Sequence, residues 1–255
     1  MLICFDIGNT NITVGGFEGD ELAFTARLAT DQHRTADQYA IEIRDILGLY
    51  NITGADVSAA AICSVVPTVC AAIERAINKL FGIEPVVLGP GVKTGLNIKI
   101  DNPAQLGADL AAGAVGALAK YPCPAVVIDL GTATTISVIG KNGEFLGGAI
   151  AAGIKLTLEA LASRTAQLPM VNIKAPQSVI GTNTADSMTS GLIIGAAAMI
   201  DGMIERIEAE LGCKTTVIAT GGLSSEVINH CNRKIIQDDN LLLDGLKIIY
   251  EKNKR

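Results

Sequence analysis

The chain has 255 residues, which is enough to bury one large or two small hydrophobic cores. Its net charge of −6, its aromatic content of 4% and its lack of Trp argue against a nucleic-acid-binding protein, which needs a basic face or stacking side chains. We find no uninterrupted apolar run of the roughly 20 residues that span a bilayer and no basic segment at the N-terminus, so we expect a cytoplasmic protein without membrane contact.

In the first half, alternating apolar residues and short turns predict three antiparallel strands, and apolar residues at helical spacing predict two amphipathic helices. In chain order these are strands over 1–7, 11–17 and 21–28, a helix over 35–49, a strand over 57–65, a helix over 68–81 and a strand over 84–88. Residues 92–106 are rich in turn formers, and residues 106–118 predict a buried helix dense in Ala and Gly.

The segment Tyr121-Pro122-Cys123-Pro124 predicts a domain boundary, because its prolines cannot continue a helix. The pattern then restarts, with strands over 125–130, 134–140 and 144–151, helices over about 155–163 and 184–211, a strand over 216–219 and a helix that begins near 223. We therefore predict two domains, 1–121 and 122–255, in an α/β fold of two sheets flanked by helices.

The six cysteines and two histidines do not form a metal-binding pattern, since no two cysteines are spaced as CxxC. Most of the cysteines lie in apolar segments. We expect reduced thiols that act as small buried hydrophobic side chains in a cytosolic protein.

A strand that ends in Asp, Gly and small polar residues occurs twice. The first copy runs Asp6-Ile7-Gly8-Asn9-Thr10-Asn11, and the second runs Asp129-Leu130-Gly131-Thr132-Ala133-Thr134-Thr135. Glu21 follows the first Asp at the distance at which Glu144 follows the second. Each copy alone could be an ordinary hairpin turn, but the repetition favours two phosphate loops, since Gly lets backbone N–H groups approach an anion and Asp can hold Mg²⁺ through water.

Three other positions could carry chemistry, and each has a structural alternative. Asp109 opens an apolar helix, where it could be a general base for phosphoryl transfer or only complement the helix dipole. Thr184 could contact a polar substrate or cap the helix that it opens. Thr220-Gly221-Gly222 could make room for an adenine ring or be a plain strand-to-helix turn.

With these motifs in place, the chain resembles the type III pantothenate kinases of the acetate and sugar kinase, Hsc70 and actin superfamily. The resemblance covers essentially the whole chain. Besides the two phosphate motifs, it rests on Gly107-Ala108-Asp109, 163–169, 180–184 and 201–206.

The resemblance implies two similar actin-like (ribonuclease H-like) domains, each a mixed sheet flanked by helices, with a nucleotide cleft between them. It implies ATP-dependent phosphorylation of pantothenate, with Mg²⁺ on the nucleotide, in a homodimer. Asp109 matches the family's proton acceptor, and Asp129 matches the residue that binds a monovalent cation, K⁺ or NH₄⁺. The residues that match the ATP-binding positions are Asp6, Ile7, Gly8, Asn9, Thr10, Asn11, Ile12, Thr13 and Thr132. Those that match the pantothenate-binding positions are Ile100, Gly107, Ala108, Asp109, Leu110 and Thr184.

The chain departs from the family on the acceptor side. Leu110 stands where the family usually has Arg, and Ile100 stands where it usually has Tyr. Loss of Arg removes a fixed guanidinium for a carboxylate or another polar group. Two alternatives therefore stay open beside pantothenate kinase: a kinase for another small hydroxyl compound, and a nucleotide-binding regulatory protein with little catalysis.

Overall fold

Two mixed sheets and their flanking helices account for most of residues 1–254, the part of the chain that the computed structural model describes. The strands are β1 (Leu2–Ile7), β2 (Asn11–Glu18), β3 (Glu21–Ala29), β4 (Ala59–Ser64), β5 (Val86–Val87), β6 (Asn97–Ile98), β7 (Ala125–Leu130), β8 (Ala133–Ile139), β9 (Glu144–Ala152), β10 (Thr216–Thr220) and β11 (Ile236–Gln237). The α-helices are α1 (Ala36–Leu49), α2 (Pro67–Phe81), α3 (Ala108–Lys120), α4 (Ile154–Arg164), α5 (Thr184–Leu211), α6 (Ser224–Ile228) and α7 (Leu241–Asn253).

The first compact unit contains the sheet β3-β2-β1-β4-β5 and comprises residues 1–95, 102–119 and 241–254. Its first three strands are antiparallel, and β4 pairs in parallel with β1 after the crossover through α1. Helix α1 begins at a capping box. The Thr35 hydroxyl accepts from the Gln38 backbone N–H, and the Gln38 side-chain oxygen accepts from the Thr35 backbone N–H. Helix α2 begins with Pro67, and Gly82 caps its C-terminal end. The φ of 66° at Gly82 is a left-handed conformation that glycine adopts at little steric cost.

The second compact unit comprises residues 96–101 and 120–240 and contains the sheet β11-β10-β7-β8-β9-β6. Strands β7, β8 and β9 repeat the antiparallel arrangement of β1, β2 and β3, and β10 pairs in parallel with β7 as β4 does with β1. The internal repeat predicted from the sequence is therefore present in the two sheets.

The compact units differ from the predicted division at residue 121 in two segments. Helix α7 packs on β1 and β4 of the first unit, because it buries Leu241, Leu243, Leu246 and Ile249 there. It also crosses α3 so closely that a Cβ atom at Gly245 would clash with the Ala112 carbonyl. Residues 96–101 join the second unit, since β6 pairs with β9.

Helix α5, which was predicted over 184–211, has the length and apolar composition of a membrane span. Its buried side chains, which include Ile193, Ile200 and Ile204, face the interior of the protein. Two of these, Ile200 and Ile204, belong to a core cluster that also contains Val126 and Ile128 of β7. The apolar character of α5 is thus explained by its place in the core of the second unit.

A buried charge cluster fixes the C-terminal end of α5. The Glu208 side chain is only 5% exposed and accepts hydrogen bonds from Arg233, from Lys214 Nζ at 2.9 Å and from the Thr215 backbone N–H at 3.0 Å. Burial by itself raises the pKa of Glu208, but the hydrogen bonds from Arg233 and Lys214 outweigh it and lower the pKa to about 2. Glu208 is therefore ionised in the folded protein at every physiological pH.

Candidate functional site

The first phosphate motif forms a tight turn between β1 and β2. The Gly8 N–H donates to the Asn11 carbonyl at 3.0 Å, and the side chains of Asn9 and Thr10 are exposed at the tip. Asp6 is half-buried at the end of β1, opposite Thr13 of β2. The side chains of Ile7 and Ile12 are fully buried in the core, so these two residues can offer a ligand only their backbone groups.

Thr30, which the sequence analysis missed, holds this turn from the end of β3. Its hydroxyl donates to the Gly8 carbonyl at 2.7 Å, and its backbone N–H donates to the Thr10 carbonyl at 3.0 Å. The internal repeat carries a signal for this position. Thr30 follows Asp6 by 24 residues (30 − 6), and Gly153 follows Asp129 by the same 24 (153 − 129), so the two residues occupy equivalent places in the two halves.

The second phosphate motif forms the corresponding turn between β7 and β8. The Gly131 N–H donates to the Ala133 carbonyl at 3.1 Å, Thr132 is exposed at the tip, and Asp129 is half-buried at the end of β7. The backbone N–H of Gly153 donates to the Thr132 carbonyl at 3.1 Å, which is the counterpart of the bond from Thr30 to Thr10.

Two glycines pack directly on the second motif. A Cβ atom at Gly153 would clash with the carbonyls of Gly131 and Thr132. Gly221, at a φ of 95°, lies so close to Asp129 that a Cβ atom would meet the carboxylate oxygen. The Thr220-Gly221-Gly222 turn therefore abuts the strand end that carries Asp129, and close backbone packing holds the second motif in place.

Asp109 belongs to the same compact unit as Asp6. Burial raises the pKa of the Cys63 thiol well above its usual range, and the carboxylates of Asp6 and Asp109 raise it further. Cys63 is also the register partner of Asp6 in the parallel β1–β4 pair. Both carboxylates predicted for metal binding and proton transfer therefore belong to the first unit and act on the same buried thiol.

The residues around Asp109 form the first turn of α3. Asp109 Oδ1 accepts from the Leu110 backbone N–H at 2.8 Å, and a Cβ atom at Gly107 would lie 2.5 Å from the same oxygen. Gly107, Ala108, Asp109 and Leu110 are all half-buried. Gly107 therefore leaves the space beside the carboxylate that a larger residue would fill.

The other two predicted acceptor residues belong to the second unit. Ile100 follows β6, and its Cγ2 atom would lie 3.7 Å from a Cβ atom at Gly147 of β9. Thr184 is the first residue of α5 and is exposed; the cap of that helix is Asn183, whose side chain accepts from the Asp186 N–H at 2.9 Å. The alternative that Thr184 caps α5 is therefore wrong.

A cavity of about 400 Å³ adjoins Thr184 within the second unit. Its walls come from α4, α5 and the segment between them: Thr157, Leu161, Leu168, Thr184, Ser187, Met188, Gly191 and Leu192. Hydroxyl groups and apolar side chains both line it.

No group of three or more His, Cys, Asp and Glu side chains within residues 1–254 is arranged to hold a metal ion. All six cysteines are free thiols, as the sequence predicted.

Comparison with known proteins identifies the family. Residues 2–206 match the family model described as type III pantothenate kinase. The chain is 44% identical over 254 residues to a type III pantothenate kinase from Frankia alni, covering 99% of this chain and 100% of that protein. It is 42% identical to one from a Geobacillus species, covering 99% of this chain and 98% of that protein.

A solved structure supports the fold. The ROK hexokinase from Thermus thermophilus superposes with a TM-score of 0.52 at 12% identity, covering 99% of each chain. The predicted α/β fold of two mixed sheets is thereby confirmed. Together with the full-length sequence matches, these findings show that the chain belongs to the type III pantothenate kinase family.

Proposed function

We propose that this protein transfers the γ-phosphoryl group of ATP to the primary hydroxyl of pantothenate, the first step of coenzyme A biosynthesis. The observation that carries the proposal is the full-length identity of 44% to a protein named type III pantothenate kinase. The effect of both the Asp6 and the Asp109 carboxylates on the Cys63 thiol supports it, since phosphoryl transfer needs a metal-binding carboxylate and a base in one site.

We assign ATP binding to the backbone and side chains of Asp6–Thr13 and to Thr132. Exposed amide and hydroxyl groups at the tips of both turns are suitable donors to phosphate oxygens. Mg²⁺ usually keeps several waters and binds through one or two carboxylates plus substrate phosphates, so Asp6 fits this ion without a preformed cage of side chains. When bound, the ion would neutralise charge on the transferred phosphoryl group.

Asp109 is the proposed general base. The acceptor hydroxyl oxygen attacks the γ-phosphorus, its proton passes to the Asp109 carboxylate, and ADP leaves with the bridging oxygen. The half-buried first turn of α3 suits this role, because Gly107 keeps the carboxylate accessible from one side. Ala108, Leu110, Ile100 and Thr184 complete the proposed pantothenate-binding residues.

Asp129 is the proposed ligand of a monovalent cation, K⁺ or NH₄⁺. Its carboxylate lies at the strand end directly before the second turn, and Gly221 packs against it. A cation here would add positive charge beside the proposed phosphate site, where anionic oxygens need it.

We further propose a cytoplasmic homodimer. One face of β9 carries exposed Leu146 and Ile150 side chains, the latter 72% exposed. Exposed large apolar side chains on one sheet face are typical of surfaces covered by another protein. A second copy of the chain would bury this face by a two-fold contact.

The test is an assay of the purified full chain with ATP, Mg²⁺ and K⁺, in which ADP release is followed with and without pantothenate. We expect release only with pantothenate, together with a product whose mass has increased by one phosphate group. ADP release that another small alcohol supports and pantothenate does not would contradict the proposed substrate. Nucleotide binding without any turnover would favour a regulatory protein instead.

A further inference from the structure

Two hydrogen bonds tie the first phosphate turn to the residue that follows β3. The Thr30 hydroxyl donates to the Gly8 carbonyl at 2.7 Å, and the Thr30 backbone N–H donates to the Thr10 carbonyl at 3.0 Å. In the second half of the chain, Gly153 makes only the backbone bond, to Thr132. At this repeated position, a side-chain hydroxyl therefore bonds the first turn, and glycine offers the second turn only its backbone.

The hydroxyl bond determines how one peptide group is oriented. In a planar trans peptide the C=O and the following N–H point in opposite directions. Since the Gly8 carbonyl points to Thr30, the Asn9 N–H points the other way. Gly8 has no Cβ atom to restrict its backbone, so the orientation of the Gly8–Asn9 peptide depends on such an external contact.

Thr30 is itself held in place by the core. The hydroxyl of fully buried Tyr39, on α1, donates to the Asp31 carbonyl at 2.9 Å and accepts from the Asp31 N–H at 3.0 Å. Residue 31 is therefore fixed through both of its backbone groups, and the neighbouring Thr30 is a rigid support for the turn.

We infer that Thr30 is a positioning residue for nucleotide binding: its hydroxyl fixes the Gly8–Asn9 peptide so that the Asn9 N–H faces the phosphates. This inference rests on the proposed use of the first turn by ATP. The Thr30 hydroxyl would preorganise the Asn9 N–H for binding. Without this hydroxyl, part of the binding free energy would be spent on ordering the turn.

The test is titration of the full chain with a non-hydrolysable ATP analogue and Mg²⁺. Thr30→Val keeps the shape of the side chain and removes the donor, and we expect the Kd for the analogue to rise about tenfold, the effect of one lost hydrogen bond. Thr30→Ser restores the hydroxyl and should bind within about twofold of wild type. Thr25→Val, an exposed position on β3, is the matched control and should leave the Kd unchanged.

A second measurement separates positioning from a general loss of structure. The Asn9 amide resonance in nitrogen–proton NMR spectra should shift on addition of the analogue in wild type and in Thr30→Ser, but not in Thr30→Val. An unchanged Kd in folded Thr30→Val would overturn the inference. If that variant does not fold, the inference would be overturned by a wild-type Asn9 amide resonance that does not shift when the analogue is added.

The titration needs no acceptor, so it is independent of the substrate. A protein that binds the analogue through Thr30 but does not phosphorylate pantothenate would contradict the proposed function and leave the positioning role intact. Conversely, a wild type that phosphorylates pantothenate, with the same ATP affinity in Thr30→Val, would support the proposed function and contradict the positioning role of Thr30.

Discussion

Replacing Glu208 by Gln should destabilise the second unit by about 2 kcal/mol at pH 7. The carboxylate is 5% exposed and is bonded to Arg233, Lys214 and the Thr215 N–H. Its pKa falls from an ordinary 4.5 to about 2, and at 1.36 kcal/mol per pKa unit the shift corresponds to about 3 kcal/mol. We reduce this value because Lys214 is 81% exposed, where solvent screens its charge.

The effect should depend on pH in a defined direction. A carboxylate whose pKa is lowered on folding stabilises the protein above its unfolded-state pKa, and that stabilisation is lost as the pH falls toward the folded-state pKa. The difference between wild type and Glu208→Gln should therefore be constant above about pH 5 and shrink steadily between pH 4.5 and about 2.

Urea unfolding followed by circular dichroism at pH 7 and pH 3.5 measures this difference. The control is Asp37→Asn, which removes an ion pair to Lys79 whose side chains are 69% and 64% exposed, and which should change stability by less than about 0.5 kcal/mol. Equal destabilisation by the two substitutions, or a Glu208→Gln effect that grows as the pH falls, would refute the reasoning.

Four further predictions concern the proposed reaction. Asp109→Asn should lower kcat by about 10²–10⁴-fold with unchanged affinity for an ATP analogue, and comparable kcat values would remove Asp109 as the base. Asp6→Ala and Thr132→Val should each weaken binding of the analogue in calorimetric titration; unchanged affinity and kcat in both would argue against the two phosphate turns. Replacement of Na⁺ by K⁺ or NH₄⁺ should raise the rate in wild type but not in Asp129→Asn, whereas equal wild-type rates in all three salts would contradict a cation site. Leu110→Arg should leave the KM for pantothenate unchanged or lower it, and a higher KM would show that residue 110 does not face the substrate's carboxylate.

Most secondary structure could be predicted because each element carries a local signal. The helix over 35–49 was predicted from its periodicity, and the structure adds that Thr35 caps it and that α1 begins at Ala36. Helix α7, with four buried apolar side chains, was not predicted, and neither were the two-residue strands β6 and β11. Strands this short have no measurable periodicity, since pairing with a neighbouring strand is what forms them.

The site was predictable to the extent that it repeats. The two Asp-Gly turns were predicted because the same order of residues occurs twice, and Asp109 was proposed as a base because a carboxylate in an apolar helix is unusual. The placement of Asp109 in the first unit depends on how α3 packs against α7, which no local pattern encodes. Thr30 was missed for a similar reason, because its role comes from two hydrogen bonds rather than from its residue type.

The duplicated turns should differ in which substitutions they accept. Position 30 has room for a side chain and uses its hydroxyl, so a saturation library should retain Ser there as well as Thr. Position 153 touches the carbonyls of Gly131 and Thr132 with its backbone, and any side chain would displace them, so the same library should retain only Gly. The first turn therefore depends on the hydroxyl group at position 30, whereas the second turn depends on the absence of a side chain at position 153.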